Sequence, residues 1–198
     1  MYLGADPSAT DVAIGQPEHG GAAEAWKNTA HRRDVGQTFR PAADFTLDRL
    51  TVLVAGLGAD AKGAAFTLQV LRFAIPTNLQ AGTVVSTQAG TMPAAGYPGN
   101  NDFYLTFDMA DVALSASTTY GFLLGFDDSP ASPMVTLYTS SPDSPYAGGN
   151  YFERYDSGAF AAGDFDLVFY LQNPGPEPAT LGLLGAGLLG AMALRRRR

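Results

Sequence analysis

The sequence predicts an all-β fold, an antiparallel β-sandwich of jelly-roll type, followed by a single C-terminal hydrophobic helix. Three observations lead there. Apolar residues recur at every second position through most of the chain, the spacing that buries one face of a strand. Turn-forming residues punctuate these runs, with 23 glycines and 13 prolines among 198 residues. No stretch ahead of Pro176 carries a 3.6-residue apolar stripe, whereas Ala179–Leu194 is apolar around its whole circumference.

In chain order, residues 1–34 are rich in Gly, Ala and Asp with little periodicity, and read as a weakly structured lead-in. A sandwich domain over 35–173 then opens with Gln37-Thr38-Phe39. Phe45–Val54 reads as the neighbouring strand, and its apolar phase shifts from odd to even positions at Asp48-Arg49, which predicts a bulge. Ala65–Phe73 and Thr83–Thr87 are further strand candidates. Phe103, Leu105, Phe107 and Met109 alternate with Tyr104, Thr106 and Asp108; Tyr120, Phe122, Leu124 and Phe126 alternate with Thr119, Gly121, Leu123 and Gly125. Met134–Ser140 and Asn150–Tyr155 follow. Phe165, Leu167, Phe169 and Leu171 close the domain, alternating with Asp166, Val168 and Tyr170. Ala55-Gly56-Leu57-Gly58 and Ala147-Gly148-Gly149-Asn150 read as turns. Eight to ten such strands without helices make two facing antiparallel sheets. The expected core holds Phe103, Leu105, Phe107, Tyr120, Phe122, Leu124, Phe165, Leu167 and Phe169.

Residues 174–198 form a tail of different character. Pro176-Glu177-Pro178 stops regular structure arriving from upstream, because each proline lacks a donor and has φ fixed. Ala179–Leu194 contains no charge and one hydroxyl, Thr180, so it can enter hydrocarbon as a transmembrane helix. Its length as a helix, roughly 24 Å, falls short of a bilayer core of roughly 30 Å, a gap that snorkelling and local thinning can cover. Arg195, Arg196, Arg197 and Arg198 cannot follow it into hydrocarbon, and the positive-inside tendency puts them in the cytoplasm.

Pro-Glu-Pro, a short apolar helix and a terminal arginine cluster, in that order, resemble the PEP-CTERM sorting signal of Gram-negative bacteria. The resemblance implies that an exosortase, a membrane protease-transpeptidase, recognises Pro176, Glu177 and Pro178. Ala179–Leu194 is then a transient inner-membrane anchor and Arg195–Arg198 its cytoplasmic stop. It also implies export, then delivery to the cell surface or extracellular matrix, often alongside exopolysaccharide or biofilm production. Met1–Ile14 has no basic residue, includes Asp6 and Asp11, and lacks an apolar run, so it is no signal peptide; a misplaced start is the expectation. The body resembles secreted β-sandwich modules of the choice-of-anchor kind. That likeness lies in Gln37-Thr38-Phe39, Phe45-Thr46-Leu47-Asp48 and Leu114-Ser115-Ala116-Ser117-Thr118-Thr119-Tyr120, and it implies fold rather than ligand.

Composition narrows the chemistry. With no cysteine there is neither a disulfide framework nor thiol catalysis. The whole chain carries a formal charge of −7; without the four terminal arginines and Glu177 the body stands at −10. Such a surface repels phosphate backbones and excludes nucleic acid as partner. The two histidines, His19 and His31, both lie in the lead-in, and no nucleophile elbow, zinc-protease helix or phosphate loop is present. No catalytic residue is therefore assigned and no enzymatic activity is expected. No metal site and no cofactor are expected either. Asp127, Asp128, Asp164 and Asp166 are the carboxylates from which a structural calcium would be built if they converged, but none has EF-hand spacing. Tyr146, Asn150, Tyr151, Arg154 and Tyr155 concentrate rings and hydrogen-bonding groups within ten residues, the combination that stacks on and grips an extracellular polysaccharide; Tyr97 with Asn100 and Asn101 forms a smaller group. Tyrosine is also an ordinary strand residue covering a core edge. Two functions follow: a non-enzymatic exported protein sorted to the envelope, or an exported carbohydrate-binding or carbohydrate-processing module with the same tail. Rings lining one exposed face would favour the second, rings turned into the sheet interface the first.

Overall fold

The computed structural model describes residues 1–4, 7, 11–20, 23–26, 32–98, 102–126, 135–141, 146–156 and 158–173. All of their strands belong to two antiparallel sheets. The first holds β1 (Tyr2–Gly4), β2 (Val12–Gln16), β3 (Ala23–Trp26), β5 (Phe45–Leu57), β8 (Phe103–Leu114), β10 (Val135–Tyr138) and β13 (Phe169–Gln172). The second runs in the order β12 (Ala161–Ala162), β11 (Tyr151–Tyr155), β4 (Arg33–Phe39), β9 (Thr119–Phe126), β6 (Ala65–Phe73) and β7 (Gly82–Thr91). Short 3-10 turns at Ala59–Ala61 and Leu79–Ala81 interrupt the connections.

β5 organises the first sheet. One of its edges pairs with β8 along almost its whole length, while the other is shared by β13 at Arg49–Val52 and β10 at Val54–Leu57. The expected bulge is there: the β5–β8 register shifts between Leu47 and Arg49. The sheets meet through rings and branched side chains, Phe66 against Phe107 at 5.2 Å and Phe122 against Phe169 at 5.6 Å. Val35, Leu50, Val52, Leu68, Leu105, Leu124 and Leu167 fill the space between, all fully buried. Each sheet also carries apolar side chains on its outer face. Leu71, Phe73, Leu123 and Phe152 cluster outside the second sheet under Leu79 and Phe160; Leu53, Val168 and Tyr170 cluster outside the first.

Four features depart from the reading of the sequence. The stretch read as a weakly structured lead-in supplies β1, β2 and β3, which add to β8, β13 and β10 respectively. Strands of three to five residues are too short to show a period, and Gly4 in β1 serves close approach rather than loop freedom: a Cβ there would stand 2.8 Å from Thr106 Oγ1. Ala55–Leu57 is not a turn but the end of β5, held by β10. The closing strand begins at Phe169 rather than Phe165, because Asp166 and Val168 spend their backbone donors on Ser140 Oγ and the Tyr138 carbonyl. Of the nine expected core residues, Phe165 alone is only half-buried.

Candidate functional site

The sorting residues Pro176, Glu177 and Pro178, the apolar run Ala179–Leu194 and Arg195–Arg198 lie outside the described residues. Among the described residues no helix is long and apolar enough to cross a membrane. What the fold does fix is the point from which this tail departs. β13 lies between β5 and β2, and beyond it the Asn173 amide still donates to the Asp11 carbonyl at 3.1 Å. Gln172 is buried, and its side-chain oxygen accepts the Thr51 hydroxyl at 2.9 Å, which in turn lies 2.9 Å from the Thr106 hydroxyl.

The segment Tyr146–Tyr155 is positioned by β4. Asn150 and Thr38 are tied backbone to backbone and through the Thr38 hydroxyl, with Gly149 so close to the Thr38 carbonyl that a side chain would collide with it. Tyr146 turns its ring edge-on to Phe169 at 5.3 Å, and burial pushes its phenol pKa upward. Tyr151 is 1 % exposed and lies against Phe165 at 4.5 Å; its hydroxyl donates to Glu153 and accepts from Arg33. Arg33 also bonds Glu153 and covers the Tyr155 ring at 5.4 Å, leaving that tyrosine 42 % exposed. Arg154 points to the opposite face of β11, where it meets buried Asp34 at 2.8 Å and lies over Phe160 at 5.1 Å. The structure therefore brings Tyr151 and Tyr155 together through Arg33, turns Arg154 to the other face, and packs Tyr146 on Phe169. No common exposed row of rings results. Tyr97, from the smaller group, packs on Phe103 at 5.4 Å and donates to the Pro93 carbonyl, with burial raising its pKa to about 12; Asn100 and Asn101 lie outside the described residues.

Of the carboxylates considered for calcium, only Asp164 and Asp166 fall among the described residues. Asp127 and Asp128 lie outside the described residues. Asp164 is exposed, while Asp166 is 3 % exposed with its oxygens already taken: Oδ1 by the Gln37 side-chain amide at 2.6 Å and Oδ2 by the Tyr146 amide at 2.7 Å. Burial raises the Asp166 pKa, and these two donors pull it back. Among the described residues no group of three or more metal-ligating side chains is present. His19 meets Tyr138 at 4.8 Å with the rings tilted by 45°; His31 lies outside the described residues.

Two charged clusters were missed in the sequence. Asp34, 1 % exposed on its side chain, holds Arg32 at 2.9 Å and Arg154 at 2.8 Å; Arg33, Glu153 and Tyr151 form the second group on the other face of the same strand pair. The run Arg32-Arg33-Asp34 was visible, but its partners lie about 120 residues away and only the β4–β11 register joins them. These arrangements tie strands together electrostatically; none pairs a nucleophile with a base.

Comparison with known proteins gives one motif match and a likeness of fold. Residues 176–198 match the PEP-CTERM protein-sorting motif, so the chain carries that motif in its tail. No curated protein matches. Among solved structures, the clostridial cysteine protease Cwp84 after propeptide cleavage is similar at 10% identity with a TM-score of 0.50, over 78% of this chain and 38% of that one. The cysteine protease and lectin-like domains of Cwp84, a surface layer associated protein of Clostridium difficile, align at 9% identity and a TM-score of 0.47, over 77% and 36%. This chain thus spans less than two-fifths of either protein, and at 10% identity the likeness to the first is one of fold alone.

Proposed function

We propose that this chain is a non-enzymatic exported protein, sorted to the cell envelope or extracellular matrix through its C-terminal PEP-CTERM signal. The sandwich is what is delivered and the tail is the address. The observation that carries this reading is the match over residues 176–198, where three chemically unlike features stand in the required order. In this account Ala179–Leu194 inserts in the inner membrane and an exosortase-like enzyme acts near Pro176-Glu177-Pro178. Arg195–Arg198 stay cytoplasmic, since each arginine at the bilayer centre costs about 2.5–3.5 kcal/mol on insertion scales. Exopolysaccharide or biofilm is the setting in which such a product works. Replacing Glu177, or both Pro176 and Pro178, by alanine tests the reading in the native host: the protein should accumulate unprocessed in the membrane fraction. Normal release of these variants would overturn it.

The alternative, a carbohydrate-binding or carbohydrate-processing module on the same tail, has weaker geometric support. Tyr151 is buried, Tyr146 is edge-packed on Phe169, and Arg154 is committed to Asp34. Retarded migration of the protein in gels containing the host's own polysaccharide, lost in Tyr155→Ala, would favour that alternative.

A further inference from the structure

Asn173, the last described residue, stands three residues before Pro176. Asn173 is still hydrogen-bonded to Asp11, and behind it β13 is held on both sides, by β5 from Val52 to Arg49 and by β2 from Gln16 to Val12. Gln172 is locked to Thr51, and Phe169 and Leu171 are fully buried between the sheets. β13 therefore cannot yield slack without opening the core. Three residue steps from Asn173 reach at most about 10–11 Å, and the six steps to Ala179 at most about 20–22 Å. The shorter span is about the spacing of two packed sheets. An enzyme gripping an extended Pro176-Glu177-Pro178 in a cleft needs chain on both sides of the motif, and the upstream side is already committed to the sandwich.

We infer that the sandwich restrains the processing of its own tail: β13, clamped between β2 and β5, tethers Pro176 within about 10–11 Å of Asn173, so that enzyme and sandwich compete for the same short stretch of chain. The inference rests on reading the tail as an exosortase signal. It makes the distance between Asn173 and Pro176 a determinant of sorting rate, and it couples that rate to the integrity of the β2–β13–β5 pairing. A chain whose β13 is loosened is processed faster, not slower.

Pulse–chase of the full chain in the native host tests this, following loss of the tail by mass. A flexible Gly-Ser-Gly-Ser-Gly-Ser insert between Asn173 and Pro174 adds up to about 20 Å of reach and should speed processing several-fold. The same insert between exposed Ala94 and Ala95 should leave the rate unchanged. Thr51→Val, which removes the hydroxyl bound to Gln172, should raise both the processing rate and the hydrogen exchange of the Gln172 and Asn173 amides. A spacer that leaves the rate unchanged or lowers it overturns the inference, the second result meaning that the enzyme uses the sandwich end as a dock. Glu177→Ala on the spacer background separates the two levels. If it blocks processing while the spacer has no effect, only the restraint is wrong. If Glu177→Ala is processed like the natural chain, or the natural chain keeps its tail, the sorting reading fails and the inference with it.

Discussion

Replacing Asp166 with asparagine removes a charge and almost no volume, yet it should destabilise the protein. The carboxylate accepts from two donors, the Gln37 side-chain amide at 2.6 Å and the Tyr146 backbone amide at 2.7 Å. Gln37 cannot turn round to help, because its own oxygen accepts the Leu167 amide at 3.0 Å. Asparagine would aim its NH2 at one of these donors and leave a buried donor unsatisfied. That penalty is about 1–3 kcal/mol, and weakening the remaining charge-assisted bond brings the total to about 2–4 kcal/mol. Relief from burying a charge acts the other way and favours the lower part of this range. In a protein of this size each kcal/mol shifts Tm by about 2–4 °C, so a fall of roughly 5–15 °C is expected. The pH dependence has a definite sign. Burial raises the Asp166 pKa above the ordinary value of about 3.9. Between that value and its own raised pKa, the folded state keeps a proton that the unfolded chain has lost, so this group's contribution to stability falls as pH rises through that window. Urea denaturation of the purified protein across this pH range, beside exposed Asp164→Asn as control, measures both effects. The control should stay within about 0.5 kcal/mol of the parent. Equal stability of the two variants, or a difference between parent and Asp166→Asn that grows in the parent's favour with rising pH in that window, would show that the Asp166 carboxylate does not act in this way.

Other substitutions probe the packing. Gly36→Ala puts a Cβ deep inside van der Waals contact with the Phe122 carbonyl oxygen and 2.6 Å from Phe152 Cζ, and should cost at least about 1–3 kcal/mol in chemical denaturation. Gly56→Ala, where the nearest atom is Thr136 Oγ1 at 3.7 Å, should be close to neutral in the same measurement. Phe122→Ala, between the two sheets, should cost about 3–5 kcal/mol by urea denaturation. Gln80→Ala removes a side chain that both donates to the Phe160 carbonyl at 2.7 Å and accepts its amide at 3.1 Å. These bonds are exposed, so global stability should fall by no more than about 1 kcal/mol, while hydrogen exchange at Phe160 should accelerate markedly.

The long strands were legible because they alternate over enough residues to be counted. Ala65–Phe73 is β6 at the boundaries read from the sequence, and the phase shift at Asp48-Arg49 marked the real irregularity of β5. Alternation failed where both faces of a strand are covered. β9 is buried at every position, since Leu123 on its outer side belongs to a second cluster with Phe73 and Phe152 under Phe160. β1 to β3 were illegible because each is short and finds its partner far along the chain. At the candidate site the tyrosines of 146–155 were visible as a concentration of rings. Which face each ring takes depends on Arg33 and Asp34 across the β4–β11 register, and composition does not encode that. The tail is the reverse case: its information is local and ordered along the chain, so residues 176–198 could be read without a fold.

Whether the tail is read and then removed is decided by the intact mass of the mature protein recovered from outside the native host's cells. The expected product ends ahead of the apolar run Ala179–Leu194, lacks all four of Arg195–Arg198, and retains β13 through Asn173. An extracellular product whose mass still includes Arg198 would contradict it.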